Sequence, residues 1–160
     1  MYYEELTKLE IAERQLIHAV ELYLEGTHLT SAITLAGAAE EILGKLVNRL
    51  EKKNALELKV KRLCEMYEHV FNESAEPKSF VELRNLARDE LKHIRTGNSL
   101  SIDLENEAAK LIDRAITNYK KLKSGPVPLF WRFKKERVHR RRERMNDRES
   151  CPSNGHDTPQ

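Results

Sequence analysis

The strongest helical pattern in the chain lies in residues 77–97, PKSFVELRNLARDELKHIRTG. Pro77 suits the first turn of a helix, because the N–H that proline lacks would have no partner there, and Gly97 suits the end. At about 100° per residue the apolar side chains share one face, which we expect to pack inward. They are Phe80, Leu83, Leu86, Ala87, Leu91 and Ile94. The opposite, polar face carries Arg84, Asn85, Arg88, Asp89, Lys92 and Arg95.

The rest of the chain shows the same periodicity and predicts an all-α fold. Charged residues make up 34% of the 160 residues and aromatic residues 6%, a composition that favours helices over strands. Four further segments have apolar residues at helical spacing: about 3–24, 30–52, 56–71 and 103–122. Their short connectors indicate an antiparallel up-and-down bundle of about five helices. We expect this domain to span residues 1–123, followed in 124–160 by a Pro/Gly break, a basic tail and a disordered C-terminus.

The second predicted helix contains an unusually small segment, residues 36–39, AGAA. Glycine costs about 1 kcal/mol relative to alanine in an exposed helix, so close packing against a neighbour is the expected compensation for Gly37 and for Gly44 further along the helix. A helix this close to its neighbours would hold Glu40 or Glu41 near the bundle interior. Because a buried carboxylate needs a cationic partner, we expect an arginine to pair with one of them.

The charge of the chain is concentrated towards its C-terminus. The formal net charge is +2, yet residues 129–148 carry nine Lys or Arg against three Asp or Glu. Such a segment could bind RNA or anionic lipid, dock an acidic partner, or serve as a flexible solubilising end.

The sequence predicts neither a membrane span nor a secretory signal. No apolar run approaches the roughly 20 residues that cross a bilayer, and residues 1–5, MYYEE, lack the apolar region of a signal peptide. Cys64 and Cys151 lack ligand-like spacing, so we interpret them as free thiols in a reducing compartment. We therefore expect a cytoplasmic protein with no metal site, no cofactor and no membrane partner.

One Arg–His pair in residues 77–97 suggests a function. Arg88 is followed by four residues and then by His93, and polar Asp89 stands directly after the arginine. This arrangement resembles the signature of the HEPN superfamily, in which four to six residues separate an arginine from a histidine. The Ala-rich second helix, with its Glu40-Glu41 pair, is also similar to the second helix of many HEPN domains. The resemblance covers about residues 3–122.

Two other Arg–His pairs have similar spacing but lack this context. Arg62 and His69 lie on the third predicted helix, with apolar Leu63 directly after the arginine. Arg132 and His139 lie in the basic segment, outside the predicted bundle. We therefore do not assign a site to either pair.

The resemblance implies a metal-independent RNA endonuclease that uses the ribose 2′-OH as nucleophile. His93 would act as general base or acid, and Arg88 would bind the scissile phosphate and stabilise the transition state. The other polar residues would support the site: Lys92, Arg84 and Arg95 by binding RNA phosphates, and Asn85 and Asp89 by orienting side chains or the dimer contact. The implied partners are RNA and a second copy of the chain. A toxin or defence role would add an inhibitory protein.

The spacing of the pair favours a site shared between two copies. Residues five apart on a helix point about 140° from one another, so Arg88 and His93 lie at the two rims of the polar face. A second helix packed on that face would complete the site. The alternative is a non-catalytic helical module that dimerises or binds a protein or nucleic acid, in which the polar face is simply solvated.

Overall fold

The computed structural model describes residues 3–92, 99 and 101–150, and it describes only the backbone of Lys92 and of residues 147–150. Within these residues the protein is all-helical and contains no strand. The six helices are α1 (Lys8–Glu25), α2 (Leu29–Arg49), α3 (Ala55–Phe71), α4 (Pro77–Lys92), α5 (Leu104–Leu122) and α6 (Pro128–Ser150). The sequence predicted about five, and the additional helix is the basic segment. None of the described helices is long and apolar enough to cross a membrane.

Local side-chain contacts explain where two of the helices begin. The Thr7 hydroxyl accepts a hydrogen bond from the Glu10 amide, while the Glu10 carboxylate accepts one from the Thr7 amide, so α1 starts later than the sequence suggested. The Asp103 carboxylate accepts a hydrogen bond from the Asn106 amide, which confirms the predicted start of α5.

The core forms around α2, which packs against α1, α4 and α5, while α3 packs against α4 and α5. The apolar side chains of α1, α2 and α5 supply most of it: Ala12, Leu16, Ala19, Val20, Tyr23, Ala32, Ile33, Ala36, Ala39, Leu43, Ala108, Ala109, Leu111, Ile112, Ala115, Ile116 and Tyr119. Two aromatic residues of α6, Phe130 and Phe133, belong to the same core. Phe133 packs edge-on against Tyr23 and Phe130 against Tyr119, with ring centroids 5.1 and 5.4 Å apart.

Polar contacts hold α6 against the end of α1. The last carbonyls of a helix have no partner within it. Arg140 donates hydrogen bonds of 3.0 Å to two such carbonyls, those of Tyr23 and Leu24, and its guanidinium lies over the Tyr23 ring. This arginine therefore caps α1 from α6 and links the two helices.

Asp113 of α5 links three helices through ion pairs. Its carboxylate accepts a hydrogen bond from Lys134 of α6, and it lies 3.3 Å from Arg137 Nη1 and 3.8 Å from Lys59 Nζ of α3. Burial alone would raise the pKa of Asp113, but Lys134, Arg137 and Lys59 together lower the pKa below its usual value. The ionised carboxylate therefore helps to hold α6 in place.

The orientation of α4 corrects a prediction made from the sequence. Leu83 and Leu86, expected to pack inward, are 64% and 46% exposed. Asn85, expected on the solvated face, is buried, and the Arg88 side chain is only 15% exposed. The helix is turned in this way because its neighbours α2 and α5 present polar partners to it, and these partners bind the polar side chains of α4.

Candidate functional site

A buried ionic cluster lies where α2, α4 and α5 meet. We call it the Glu40 cluster; its members are Glu40, Asn85, Arg88, Asp89 and Arg114. The Glu40 carboxylate lies 3.6 Å from Arg114 Nη2 and 3.9 Å from Arg88 Nη1. Arg114 also donates a hydrogen bond of 3.1 Å to the Asn85 side-chain oxygen. The prediction that Glu40 or Glu41 pairs with an arginine in the interior is confirmed for Glu40.

Gly37 allows the arginine of α4 to approach α2. A Cβ atom built on Gly37 would lie 2.7 Å from Cδ and 2.8 Å from Cγ of Arg88, closer than real side chains pack. Only a residue without a side chain leaves room for the arginine stem there. A Cβ atom built on Gly44, about two turns further along α2, would make only ordinary contacts of 3.5 Å or more. The close packing predicted for the small segment of α2 therefore occurs at Gly37.

The two arginines of the Glu40 cluster lie close enough for their positive charges to oppose each other. Burial lowers the pKa of Arg114 below its usual value, and the charges of Arg88 and Arg84 lower it further. The Glu40 carboxylate acts in the opposite direction and raises the pKa of Arg114. Glu40, which faces both arginines, and Asp89, which pairs with Arg88, therefore offset the charge of two arginines buried side by side.

The Arg88 guanidinium is fixed in orientation but keeps free donors. Its Nε donates a hydrogen bond of 2.8 Å to the Asp89 carboxylate, and its Nη1 faces Glu40. Among the described residues, the two terminal nitrogens make no hydrogen bond of their own. An arginine presents its N–H groups as a rigid fork that matches phosphate geometry. Chemically, this arrangement can bind a phosphate.

The structure brings some of the predicted site residues together and separates another from them. Asn85, Arg88 and Asp89 belong to the Glu40 cluster, whereas the side chain of Arg84 lines a cavity between α3, α4, α5 and α6, and only its carbonyl contacts Arg114. Lys92 ends α4, and its side chain is not described. His93 and Arg95 lie outside the described residues.

Arg114 is the member of the cluster that we did not predict from the sequence. The helical spacing of α5 does place it on the same stripe as buried Leu111, Ala115 and Asn118, at intervals of three and four residues. A charged residue inside an apolar stripe was therefore the signal that could have identified it.

Among the residues that the structure describes, no three His, Cys, Asp or Glu side chains lie close enough to ligate one metal ion.

No protein-family model, curated protein or solved structure shows significant similarity to this chain.

Proposed function

We propose that the protein is a HEPN-like, metal-independent RNA endonuclease with a composite site at a homodimer interface. In this proposal the helices form an antiparallel up-and-down bundle, and the protein acts in the cytoplasm. Arg88 binds the scissile phosphate, and His93 moves the protons. A toxin or defence role, held in check by an inhibitory protein, is part of the same proposal.

The observation that supports this function best is that the Arg88 guanidinium is held in one orientation. Asp89 and Glu40 fix its orientation from two sides, so little side-chain freedom is left to lose when a phosphate binds. Its Nη1 is ion-paired with Glu40, but neither terminal nitrogen makes a hydrogen bond among the described residues. Catalytic groups held by neighbouring residues in this way can be complementary to the charge that develops in a transition state.

Exposed leucines on α4 support the homodimer. Leu83 and Leu86 lie three residues apart on one face of the helix and are largely in solvent. Met66 and Val70, four residues apart on the neighbouring α3, are also exposed. Apolar surface of this kind is typical of protein contacts. A dimer formed through it would bring the α4 helices of two copies near each other, with Leu83 and Leu86 at the contact and Arg88 on the opposite side of each helix.

The proposed reaction is an internal transfer at phosphorus. His93 removes the proton of the ribose 2′-OH, and the 2′-oxygen attacks the adjacent phosphorus. The bond from phosphorus to the 5′-oxygen of the next nucleotide breaks, and that oxygen takes up a proton. The products are a 2′,3′-cyclic phosphate and a 5′-hydroxyl. Arg88 stabilises the negative charge on the phosphoryl oxygens.

The function is tested by incubating end-labelled single-stranded RNA with the purified protein in EDTA. Wild type should cleave the RNA, and His93→Ala should lose at least about a hundredfold in rate, the typical contribution of a general acid or base. His69→Ala is the matched control, because His69 ends a similarly spaced pair on α3 and should be dispensable. A purified dimer that leaves RNA intact under all conditions would exclude the enzyme.

The alternative function is a non-catalytic helical module for dimerisation, or for binding a protein or nucleic acid. The observation that favours it is the pairing of Arg88 with two carboxylates of the same chain, since this gives the arginine a structural role without RNA. A protein that forms a stable dimer and never cleaves RNA would support this alternative.

A further inference from the structure

A second polar feature lies apart from the Glu40 cluster, in a cavity of about 660 Å³ between α3, α4, α5 and α6. We call it the basic cleft. Its lining contains six cationic side chains and one carboxylate: Lys59, Arg84, Lys110, Arg137, Arg141, Arg144 and Asp103. The cations come from four different helices, so only the folded chain brings them together.

The carboxylates around the basic cleft neutralise only part of its charge. Asp113 pairs with Lys59 and Arg137, and Lys110 pairs with Glu107. Arg144 lies 3.3 Å from Asp103 and 3.5 Å from Glu105.

Two of the arginines, Arg84 and Arg141, have no carboxylate within ion-pair distance among the described residues. The Arg84 Nε atom is also buried without a hydrogen-bond partner. An uncompensated positive charge at the wall of a cavity favours the binding of an anion.

The state of Lys59 agrees with this excess of positive charge. Burial lowers the pKa of Lys59, and the charges of Arg114, Arg137 and Arg84 lower it further, although Asp113 raises it. A bound anion would relieve this repulsion.

We propose that the basic cleft binds the phosphate backbone of single-stranded RNA. The ligand class, RNA, is taken from the proposed function. Arg137, Arg141 and Arg144 follow one face of α6 at helical spacing and form a row about 10 Å long, which suits consecutive phosphates better than one small anion. Among the described residues no aromatic side chain lines the cleft, so they offer no stacking surface for bases there.

The cleft also lies beside the proposed cleavage site. Arg84 lines the cleft and precedes Arg88 by one turn of α4, which is a rise of about 6 Å. A strand held in the cleft would therefore pass close to the arginine that we propose binds the scissile phosphate. The cleft would bind the substrate away from the reacting phosphate and without sequence preference.

Two neighbouring arginines allow a matched test. Arg141 lines the basic cleft, whereas Arg142 does not; both are exposed, and neither has an ion-pair partner among the described residues. Binding is measured by fluorescence anisotropy with a labelled, 2′-O-methylated single-stranded RNA, which the proposed reaction cannot cleave. Each lost phosphate contact lowers the slope of log affinity against log salt by about 0.7, so affinity at 0.1 M salt should fall about fivefold in Arg141→Ala. Arg142→Ala should bind like wild type.

A double variant extends the test to α4. Arg84→Gln/Arg141→Gln removes both unpaired charges and should lower affinity about 25-fold at 0.1 M salt, with a slope reduced by about 1.4. A circular-dichroism melt confirms that each variant is folded. Equal affinities of Arg141→Ala and Arg142→Ala would overturn the proposal. Displacement of the RNA by a low concentration of a nucleoside triphosphate would also overturn the proposal, because it would identify a small phosphorylated ligand.

This binding test is independent of cleavage. If wild type binds the methylated RNA through Arg141 but leaves unmodified RNA intact, the basic cleft stands and the endonuclease proposal fails. If wild type cleaves unmodified RNA and the cleft variants bind and cleave normally, the endonuclease stands and the cleft proposal fails.

Discussion

Replacement of the buried Glu40 by glutamine should destabilise the fold strongly. Glu40 is only 4% exposed, and its carboxylate lies 3.6 Å from Arg114 Nη2 and 3.9 Å from Arg88 Nη1. Glutamine has nearly the same size, so the variant Glu40→Gln removes the negative charge and little else. Arg114 would then lose its only carboxylate within ion-pair distance among the described residues, while Arg88 would keep Asp89.

The size of the effect follows from these distances. At an effective dielectric constant of about 20, each ion pair contributes roughly 4 kcal/mol of attraction, against several kcal/mol for desolvating the carboxylate. Removing one partner of a buried pair typically costs about 3–5 kcal/mol. Neither contact is short enough for a strong hydrogen bond, so we expect the lower value, about 3 kcal/mol. For a chain of this length the midpoint of thermal unfolding should fall by about 6–12 °C.

The neighbouring Glu41 provides the control for this measurement. Glu41 is exposed and pairs with Lys45 one turn away, a type of contact worth about 0.3–0.5 kcal/mol. Urea unfolding of wild type, Glu40→Gln and Glu41→Gln, followed by circular dichroism, gives the free energies of unfolding. If Glu40→Gln loses no more stability than Glu41→Gln, the Glu40 cluster does not stabilise the fold as we describe.

Three further variants test other parts of the structure. Gly37→Ala should displace the Arg88 stem packed on it and slow RNA cleavage about tenfold or more, whereas Gly44→Ala should cleave like wild type. Equal cleavage rates in the two variants would show that the close approach of Arg88 to α2 is unimportant. Phe133→Ala should lower the free energy of unfolding in urea by about 3–5 kcal/mol, because the ring is fully buried, whereas Trp131→Ala, at an exposed position, should lower it by less than about 1 kcal/mol. A small loss of stability in both variants would mean that α6 is not part of the core. Asp113→Asn should destabilise the protein at pH 7 and progressively less as the pH falls below about 3.9. The pKa of Asp113 is lowered in the folded state, so its contribution is present above the unfolded value of about 3.9 and is lost as the pH falls through the folded value. A difference in the free energy of unfolding between wild type and Asp113→Asn that stays constant from pH 7 to pH 3 would contradict this assignment.

The sequence predicted the helices well because their apolar residues recur at helical spacing and their ends carry recognisable caps, as at Asp103. The orientation of α4 could not be predicted in the same way. A helical wheel assumes that apolar residues face inward, yet Leu83 is exposed and Asn85 is buried. The buried polar partners of α4 come from α2 and α5, and only the tertiary structure brings them to its face.

The basic C-terminal segment shows a similar limit. Its high charge suggested a tail, but Phe130 and Phe133, three residues apart, join the core. Arg137 and Arg141 continue the same helix on another face and line the basic cleft with Lys59 of α3. The local charge pattern indicated the arginines of α6, but it could not indicate Lys59, Arg84 and Lys110, which are distant in sequence.

The ends of the RNA fragments produced in EDTA provide the most direct measure of the proposed function. Unmodified RNA should yield 2′,3′-cyclic phosphate ends in mass spectrometry, and the 2′-O-methylated RNA should stay intact. Arg88→Lys, which keeps the charge but loses the guanidinium fork, should be slower by about a hundredfold or more. RNA that remains uncleaved by the folded dimer, or cleavage at the same rate in Arg88→Lys, would contradict the proposed role of α4.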